Sequence, residues 1–243
     1  MKIIVEKNYD EMSKKASEII ALEVKNNPHA ILGLATGSTP IGTYKELIRM
    51  HNEENLDFSK IKTFNLDEYV GLDGDHLNSY RYFMDEELFN HINITKKNTN
   101  VPDGKTKDLL SFCKDYDKRI EEAGGVDLQL LGIGTNGHIA FNEPADELSV
   151  NTSIVKLTEE TINANARFFD SIDEVPKEAI SMGIGSILKA KKILLLANGK
   201  GKAEAIKKLL NSDKVSTRLP ASFLHLHPDV TIIVDEDAYS LMR

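Results

Sequence analysis

The chain has 243 residues, a formal net charge of −8, 41% hydrophobic and 28% charged residues, and one cysteine. Net negative charge without a block of one sign argues against nucleic acid and anionic membranes as partners, and the longest apolar runs, such as residues 193–197, are far too short to cross a bilayer. The start, Met1-Lys2-Ile3-Ile4-Val5, has no signal-peptide architecture, and a lone cysteine allows no internal disulfide, so the expected compartment is the cytoplasm.

Strand-like aliphatic runs at residues 3–5, 31–35, 61–66, 128–131, 193–197 and 230–234 alternate with amphipathic segments at 9–25, 40–51, 79–89, 107–123, 177–189 and 202–210. Continuous aliphatic strands separated by helices predict an open, doubly wound, mostly parallel α/β sheet with helices on both faces, in the Rossmann-like manner. With no repeat, low-complexity tract or Pro/Gly/Ser-rich linker, a single domain over residues 1–243 is expected. Residues 150–157 read as an extra strand. Beyond them, the polar helical piece at 161–169 suggests a mobile lid over approximately residues 158–180. Cys113 falls at helical spacing with Leu109, Leu110, Tyr116 and Ile120, which makes it a core residue.

Open α/β sheets bind ligands at the carboxyl ends of their strands, so the residues that follow each strand carry the functional reading. After 31–35 comes Thr36-Gly37-Ser38-Thr39-Pro40, a small-residue loop entering a helix, with Thr39 expected as N-cap and Pro40 as the first helical residue. Its amides and helix dipole suit a phosphate, although capping alone would explain the same residues. After 61–66 come two acids, Asp67 and Glu68, with no cation beside them in sequence. After 128–131 comes Gly132-Ile133-Gly134-Thr135-Asn136-Gly137-His138, whose glycines spell the dinucleotide pattern. That pattern needs its third glycine to open a helix, and Pro144 arrives too soon for one. The glycines instead allow a sharp loop that brings His138 and Glu143 together as an acid–base group and its orienting carboxylate. After 193–197 comes Asn198-Gly199-Lys200-Gly201-Lys202, a flexible loop carrying lysines into a helix. A phosphate loop, a carboxylate, a His–carboxylate pair and a lysine thus arise from four strand ends, a set suited to proton transfer on a phosphorylated small molecule.

Other motifs weigh less. His225 and His227 alternate with Leu224 and Leu226, which would put both on one face of a strand, but no Cys or nearby acid completes a tetrahedral site, and no metal is expected. Asp73-Gly74-Asp75-His76 reads as a turn rather than a calcium loop.

With these residues in place, the chain resembles the glucosamine-6-phosphate deaminases nearly end to end. The resemblance rests on Gly33-Leu34-Ala35-Thr36-Gly37-Ser38-Thr39-Pro40, on Asn65-Leu66-Asp67-Glu68-Tyr69-Val70-Gly71-Leu72 and on Gly137-His138-Ile139-Ala140-Phe141-Asn142-Glu143-Pro144. It implies conversion of glucosamine 6-phosphate and water to fructose 6-phosphate and ammonia, without an organic cofactor. Asp67 would move the proton from C2 to C1. His138, oriented by Glu143 and aided by Asn136, would open the pyranose ring. Thr36, Gly37, Ser38 and Thr39 would bind the phosphate, with Arg167 from the lid and Lys202. Many relatives carry an aspartate at position 136; an amide there orients but cannot share negative charge with an imidazolium. Allosteric hexameric relatives hold N-acetylglucosamine 6-phosphate at a second phosphate site, where this chain has Asp146, Glu147, Ser153 and Val155. A monomer or small oligomer is therefore expected. The alternatives are a 6-phosphogluconolactonase or another sugar-phosphate isomerase on the same scaffold, or a non-catalytic sugar-phosphate sensor. A sensor would call for a basic helix-turn-helix region, which this chain is expected to lack.

Overall fold

The computed structural model describes residues 1–166, 169 and 171–242, with the backbone alone at 160, 164 and 165. The strands are β1 (Lys2–Glu6), β2 (Ile31–Leu34), β3 (Lys62–Asn65), β4 (Asp67–Tyr69), β5 (Thr99–Asn100), β6 (Leu128–Gly132), β7 (Ser153–Lys156), β8 (Glu178–Ser181), β9 (Lys192–Ala197) and β10 (Val230–Asp235). The helices are α1 (Tyr9–Asn26), α2 (Ile41–Glu54), α3 (Tyr80–Glu87), α4 (Leu109–Glu122), α5 (Glu159–Asn165), α6 (Ile184–Leu188) and α7 (Ala203–Leu210). Seven strands form one sheet in the order β1-β10-β9-β6-β2-β3-β5, every neighbouring pair parallel.

Side-chain alternation along β9 shows why its sequence is a solid aliphatic run. Leu194 and Leu196 pack with Met12, Ile20 and Leu47 of α1 and α2, while Ile193, Leu195 and Ala197 pack with Tyr116, Ile206 and Leu209 of α4 and α7. Both faces are covered, so each of these leucine and isoleucine side chains is fully buried and contributes roughly 1.5–3 kcal/mol. From β2 the chain winds outward through β3 to β5, then returns to the other side of β2 with β6. The order reverses between β2 and β6, and their carboxyl ends open the crevice where such folds hold ligands.

A second sheet, β4-β8-β7, is antiparallel and three-stranded. It changes the reading of two segments. The strand expected at 61–66 is present as β3, but Asp67, expected to follow a strand end, begins a further strand that pairs with Ser181. The segment 177–189, expected as one helix, is strand β8 followed by the short α6. Its Ala179 and Ile180 are both completely buried on opposite faces of the small sheet, a tertiary demand that overrides helical spacing. Gly183 separates the two, because a Cβ there would lie 2.4 Å from the Asn151 carbonyl oxygen and 2.5 Å from that of Ser149. The expected strand at 150–157 is present as β7. Pro220–Leu226 forms a 3-10 helix, not the strand assumed for His225 and His227. His225 Nε2 meets the Leu209 carbonyl at 2.9 Å and His227 Nε2 the Ala190 carbonyl at 2.7 Å, so both are structural. Cys113 is buried in α4, as its spacing indicates. Among the described residues no helix is long and apolar enough to cross a membrane.

Candidate active site

The loop between β2 and α2 is fixed at both ends. Gly37 adopts φ +92°, a conformation that side chains disfavour, and turns the chain over the end of β2. The helix starts one residue later than its sequence suggests. Pro40 occupies the N-cap position with no side-chain cap, and the Thr39 hydroxyl instead donates to Asn198 Oδ1 at 2.8 Å. The Tyr9 hydroxyl supplies the missing cap: it accepts from the Gly42 amide at 2.8 Å and donates to the Ser38 carbonyl at 3.0 Å. The loop thus offers amides and a helix dipole to an anion without its own hydroxyls being consumed as caps.

Asp67 stands where the chain passes from the large sheet to the small one, and only 6% of its surface is exposed. Burial, reinforced by the neighbouring Glu68 charge, lifts its carboxyl to a pKa of about 8. Glu68 points the other way. Its carboxylate accepts the amides of Tyr69, Tyr80 and Arg81 at 2.8, 3.0 and 2.9 Å, which ties β4 to the start of α3. Burial raises Glu68 to about 7, against those three amides, with Asp103 adding to the rise. A carboxyl with its proton affinity raised this far is a strong base when ionised.

The loop after β6 brings His138 onto Gly134, whose amide donates to the His138 carbonyl at 2.9 Å. A Cβ at Gly134 would sit 2.2 Å from the imidazole Cε1, so the glycine makes room for the ring. His138 Nδ1 faces Asn136 Oδ1 at 2.8 Å and Glu143 Oε1 at 3.2 Å. Both are acceptors, so we assign the ring proton to Nδ1, leaving Nε2 for the cleft. Asn136 also donates from Nδ2 to Glu143 Oε2 at 2.7 Å. Its amide therefore bridges the pair, a task that an ionised aspartate could not perform beside a second carboxylate. Thr161 of α5 donates to Glu143 Oε1 at 3.3 Å, joining the expected lid to the pair. Burial works to raise the Glu143 pKa, but the hydrogen bond and charge of His138, with Asn136 and Thr161, outweigh it and hold the carboxyl below its usual value. Asn142 anchors the loop, donating to the carbonyls of Ile139 and Met182 at 3.0 and 2.9 Å, next to Ala140 at φ +51°.

The fourth strand end carries Lys202. Asp235, at the end of β10, accepts the Gly199 amide at 2.9 and 3.0 Å and that of Ala238 at 2.7 Å, setting the course of the lysine loop. Burial, unopposed by any carboxylate among the described residues, pushes the Lys202 ammonium below its usual pKa.

A cleft of about 260 Å³ is lined by Thr36, Gly37, Ser38, Thr39, Asp67, His138 and Lys202. It continues past His138 into a compartment of about 270 Å³ that reaches Asn136, Glu143 and Thr161. The sequence-derived set therefore meets around one cleft, apart from Arg167, which lies outside the described residues. Among the described residues no group of three or more His, Cys, Asp or Glu could hold a metal. Sequence reading missed Tyr9, Asn142, Thr161, Asp235 and also Tyr80, which lines both compartments with its ring stacked on Phe141 at 6.1 Å. Asp235 was within reach, since it is the polar residue directly after a strand. Tyr9 carried no signal, as it acts from the start of a distant helix.

A family model described as glucosamine-6-phosphate isomerases/6-phosphogluconolactonase matches residues 6–233. The glucosamine-6-phosphate deaminase of Clostridium perfringens (strain 13 / Type A) is 59% identical over 100% of both chains. That of Thermoanaerobacter pseudethanolicus is 57% identical over 100% of this chain and 95% of its own length. The solved structure of a monomeric glucosamine-6-phosphate deaminase superposes with a TM-score of 0.95 at 50% identity, covering 99% of this chain and 100% of the other. The 6-phosphogluconolactonase from Trypanosoma cruzi superposes with a TM-score of 0.78 at 22% identity over 98% and 96% of the two chains, a likeness of fold alone.

Burial of Asp67 has a measurable thermodynamic consequence. Its folded pKa of about 8 lies above the 3.8 of an aspartate in water, so the folded state prefers the protonated carboxyl. The associated stability is present below about pH 4 and is lost as pH rises through about 8. Asp67→Asn escapes that loss. Its unfolding free energy relative to the parent chain should grow by several kcal/mol between pH 4 and 8 and then level off. A difference independent of pH in denaturant titrations would show that the carboxyl is not desolvated.

Proposed function

The chain belongs to the family of glucosamine-6-phosphate isomerases and 6-phosphogluconolactonases, and on that premise we propose that it acts as a glucosamine-6-phosphate deaminase, producing fructose 6-phosphate and ammonia. The observation that carries the reading is full-length identity of 59% with a deaminase, whereas a lactonase such as that of Trypanosoma cruzi shares only the fold at 22%.

In this reading the phosphate lies against the amides of Thr36, Gly37, Ser38 and Thr39, with Lys202 as its cation and Arg167 as a further donor from the lid. His138 Nε2 takes the proton of the C1 hydroxyl and returns one to the ring oxygen, so the pyranose opens to an aldehyde. Glu143 and Asn136 steady the imidazolium during this transfer. The open aldehyde makes the C2 hydrogen acidic. Ionised Asp67 removes it, forming an enolamine, and delivers the proton to C1. The resulting C2 iminium adds water and expels ammonia, leaving the ketose. Neither an organic cofactor nor a metal enters these steps. The substrate brings a cation to Asp67: its C2 ammonium beside a desolvated carboxyl favours the ionised base at the moment it is needed. Closure of the lid, residues 158–180, would strengthen these interactions by excluding water. The bond from Thr161 to Glu143 supports such a coupling.

The test is direct. Purified protein given glucosamine 6-phosphate should release ammonia and fructose 6-phosphate in equal amounts, and Asp67→Asn should lose on the order of 10²-fold or more in kcat while retaining substrate binding. Near-normal turnover in that variant would remove Asp67 from its role.

His138 and Glu143 act as one unit in this scheme. His138→Gln and Glu143→Gln should each lower kcat, and the double variant should fall little below the worse single one. Losses that multiply would assign the two residues to separate steps.

We also read the chain as a monomer or small oligomer, in line with the monomeric deaminase it superposes on. Where the resemblance puts the activator's phosphate site, Asp146 is paired with Arg218 and Val155 packs against the small sheet's apolar cluster. Velocity curves should be hyperbolic and unchanged by N-acetylglucosamine 6-phosphate. Sigmoidal curves abolished by that compound would contradict this reading.

A further inference from the structure

A second concavity, of about 330 Å³, lies on the α4 side of the large sheet, lined by Lys62, Phe64, Lys97, Asn100, Arg119 and Glu122. Lys62 is the first residue of β3, so this hollow opens near the amino end of that strand, whereas the catalytic crevice lies at the carboxyl ends. Lys62 and Phe64 share a strand face by their spacing, and Asn100 is paired with Phe64 across to the edge strand β5. Because β5 is only two residues long and ends the sheet, nothing in the sheet order covers the hollow from beyond it.

Among the described residues, its lining holds more cations than that of the catalytic cleft. Three cations from three separate elements converge here: Lys62 from β3, Lys97 from the 3-10 turn before β5, and Arg119 from α4. The one carboxylate on the lining, Glu122, is drawn aside by Lys118 at 3.5 Å. Among the described residues, the lining of the catalytic cleft holds a single lysine, Lys202, together with the carboxyl groups of Asp67 and Glu143. Among the described residues, a chain of net charge −8 thus gathers three cations in a hollow away from the catalytic cleft.

Arg119 is also held in advance. Its guanidinium donates to Asn100 Oδ1 and lies 5.9 Å from the Tyr116 ring centroid. Asn100 cannot turn away, since its own amide donates to the Thr63 carbonyl at 2.9 Å and the Asn98 carbonyl at 3.3 Å. A fixed guanidinium with most of its donors unused, flanked by two flexible ammonium groups, binds a dianion with little ordering cost.

We propose that this hollow is a binding site for a phosphorylated small molecule, separate from the catalytic cleft. Arg119 supplies the directional hydrogen bonds and Lys62 and Lys97 the remaining charge. The site does not depend on the catalytic reading, because it stands on other residues.

Backbone amide NMR titrations with inorganic phosphate and with fructose 6-phosphate test it. Two separate groups of amides should respond, one at residues 36–39 and one around Asn100, Arg119 and Ala123. In the Lys62→Gln/Lys97→Gln variant, the second group should need at least about tenfold more ligand while the first group, kcat and KM stay unchanged. Tighter binding of fructose 6-phosphate than of phosphate at the second group would identify a sugar phosphate as the ligand; equal binding would mean that the phosphate group alone is recognised. A response confined to residues 36–39, or a second response equally strong in the variant, would overturn the proposal.

Discussion

The constraint on which the site depends is a carboxyl group, Asp67, held out of water with no cation beside it among the described residues. Such a group is costly to keep, and only the surrounding fold makes it tolerable. Leu66 lets the chain leave one sheet and enter another: its amide donates to Leu34 at 3.3 Å and its carbonyl accepts from Met182 at 2.8 Å. Asp67 is thus gripped by its backbone between two sheets, while its side chain lines the cleft. Glu68 absorbs the amides at the start of α3 and leaves its neighbour none of them. The outcome is a base whose proton affinity is set by architecture and which an ammonium-bearing sugar is suited to ionise.

Around this group the fold arranges donors rather than charges. The loop at 36–39, the His138 loop and the lysine loop are separate strand ends, yet they form one body. Thr39 to Asn198 joins two of them, Asp235 fixes the lysine loop from the next strand, and Tyr9 caps α2 from the neighbouring α1. Each of these bonds sets where a phosphate amide or cation stands relative to Asp67. Small displacements there would cost rate without touching the reacting atoms.

The large sheet was readable because buried parallel strands leave an unmistakable signature, as the run at 193–197 does. The strand-end rule then led to Thr36, Asp67, His138 and Lys202 without reference to any relative. Of the small sheet only β7 was readable, from the run at 150–157. Glu178–Ser181 is too short to show a period of its own, and it runs into Ile184–Leu188 so that the two together mimic one helix. The strand end near Leu66 was read, but β4 was not, because Asp67-Glu68-Tyr69 is too short and too polar to look like a strand. The bridging role of Asn136 also had to wait for geometry: sequence suggested a lost charge, whereas the amide gains a donor to Glu143 that an ionised acid would lack. Arg167 rests on resemblance, since it lies outside the described residues.

The central claim is that burial, not a neighbouring base or metal, makes Asp67 reactive. Carbon-13 NMR of the aspartate carboxyl carbons, with Asp67→Asn as the assignment control, measures it in the free protein. The account predicts a carboxyl that titrates near pH 8 and is missing from the variant. A resonance for Asp67 that titrates near pH 4, like an aspartate in water, would contradict it.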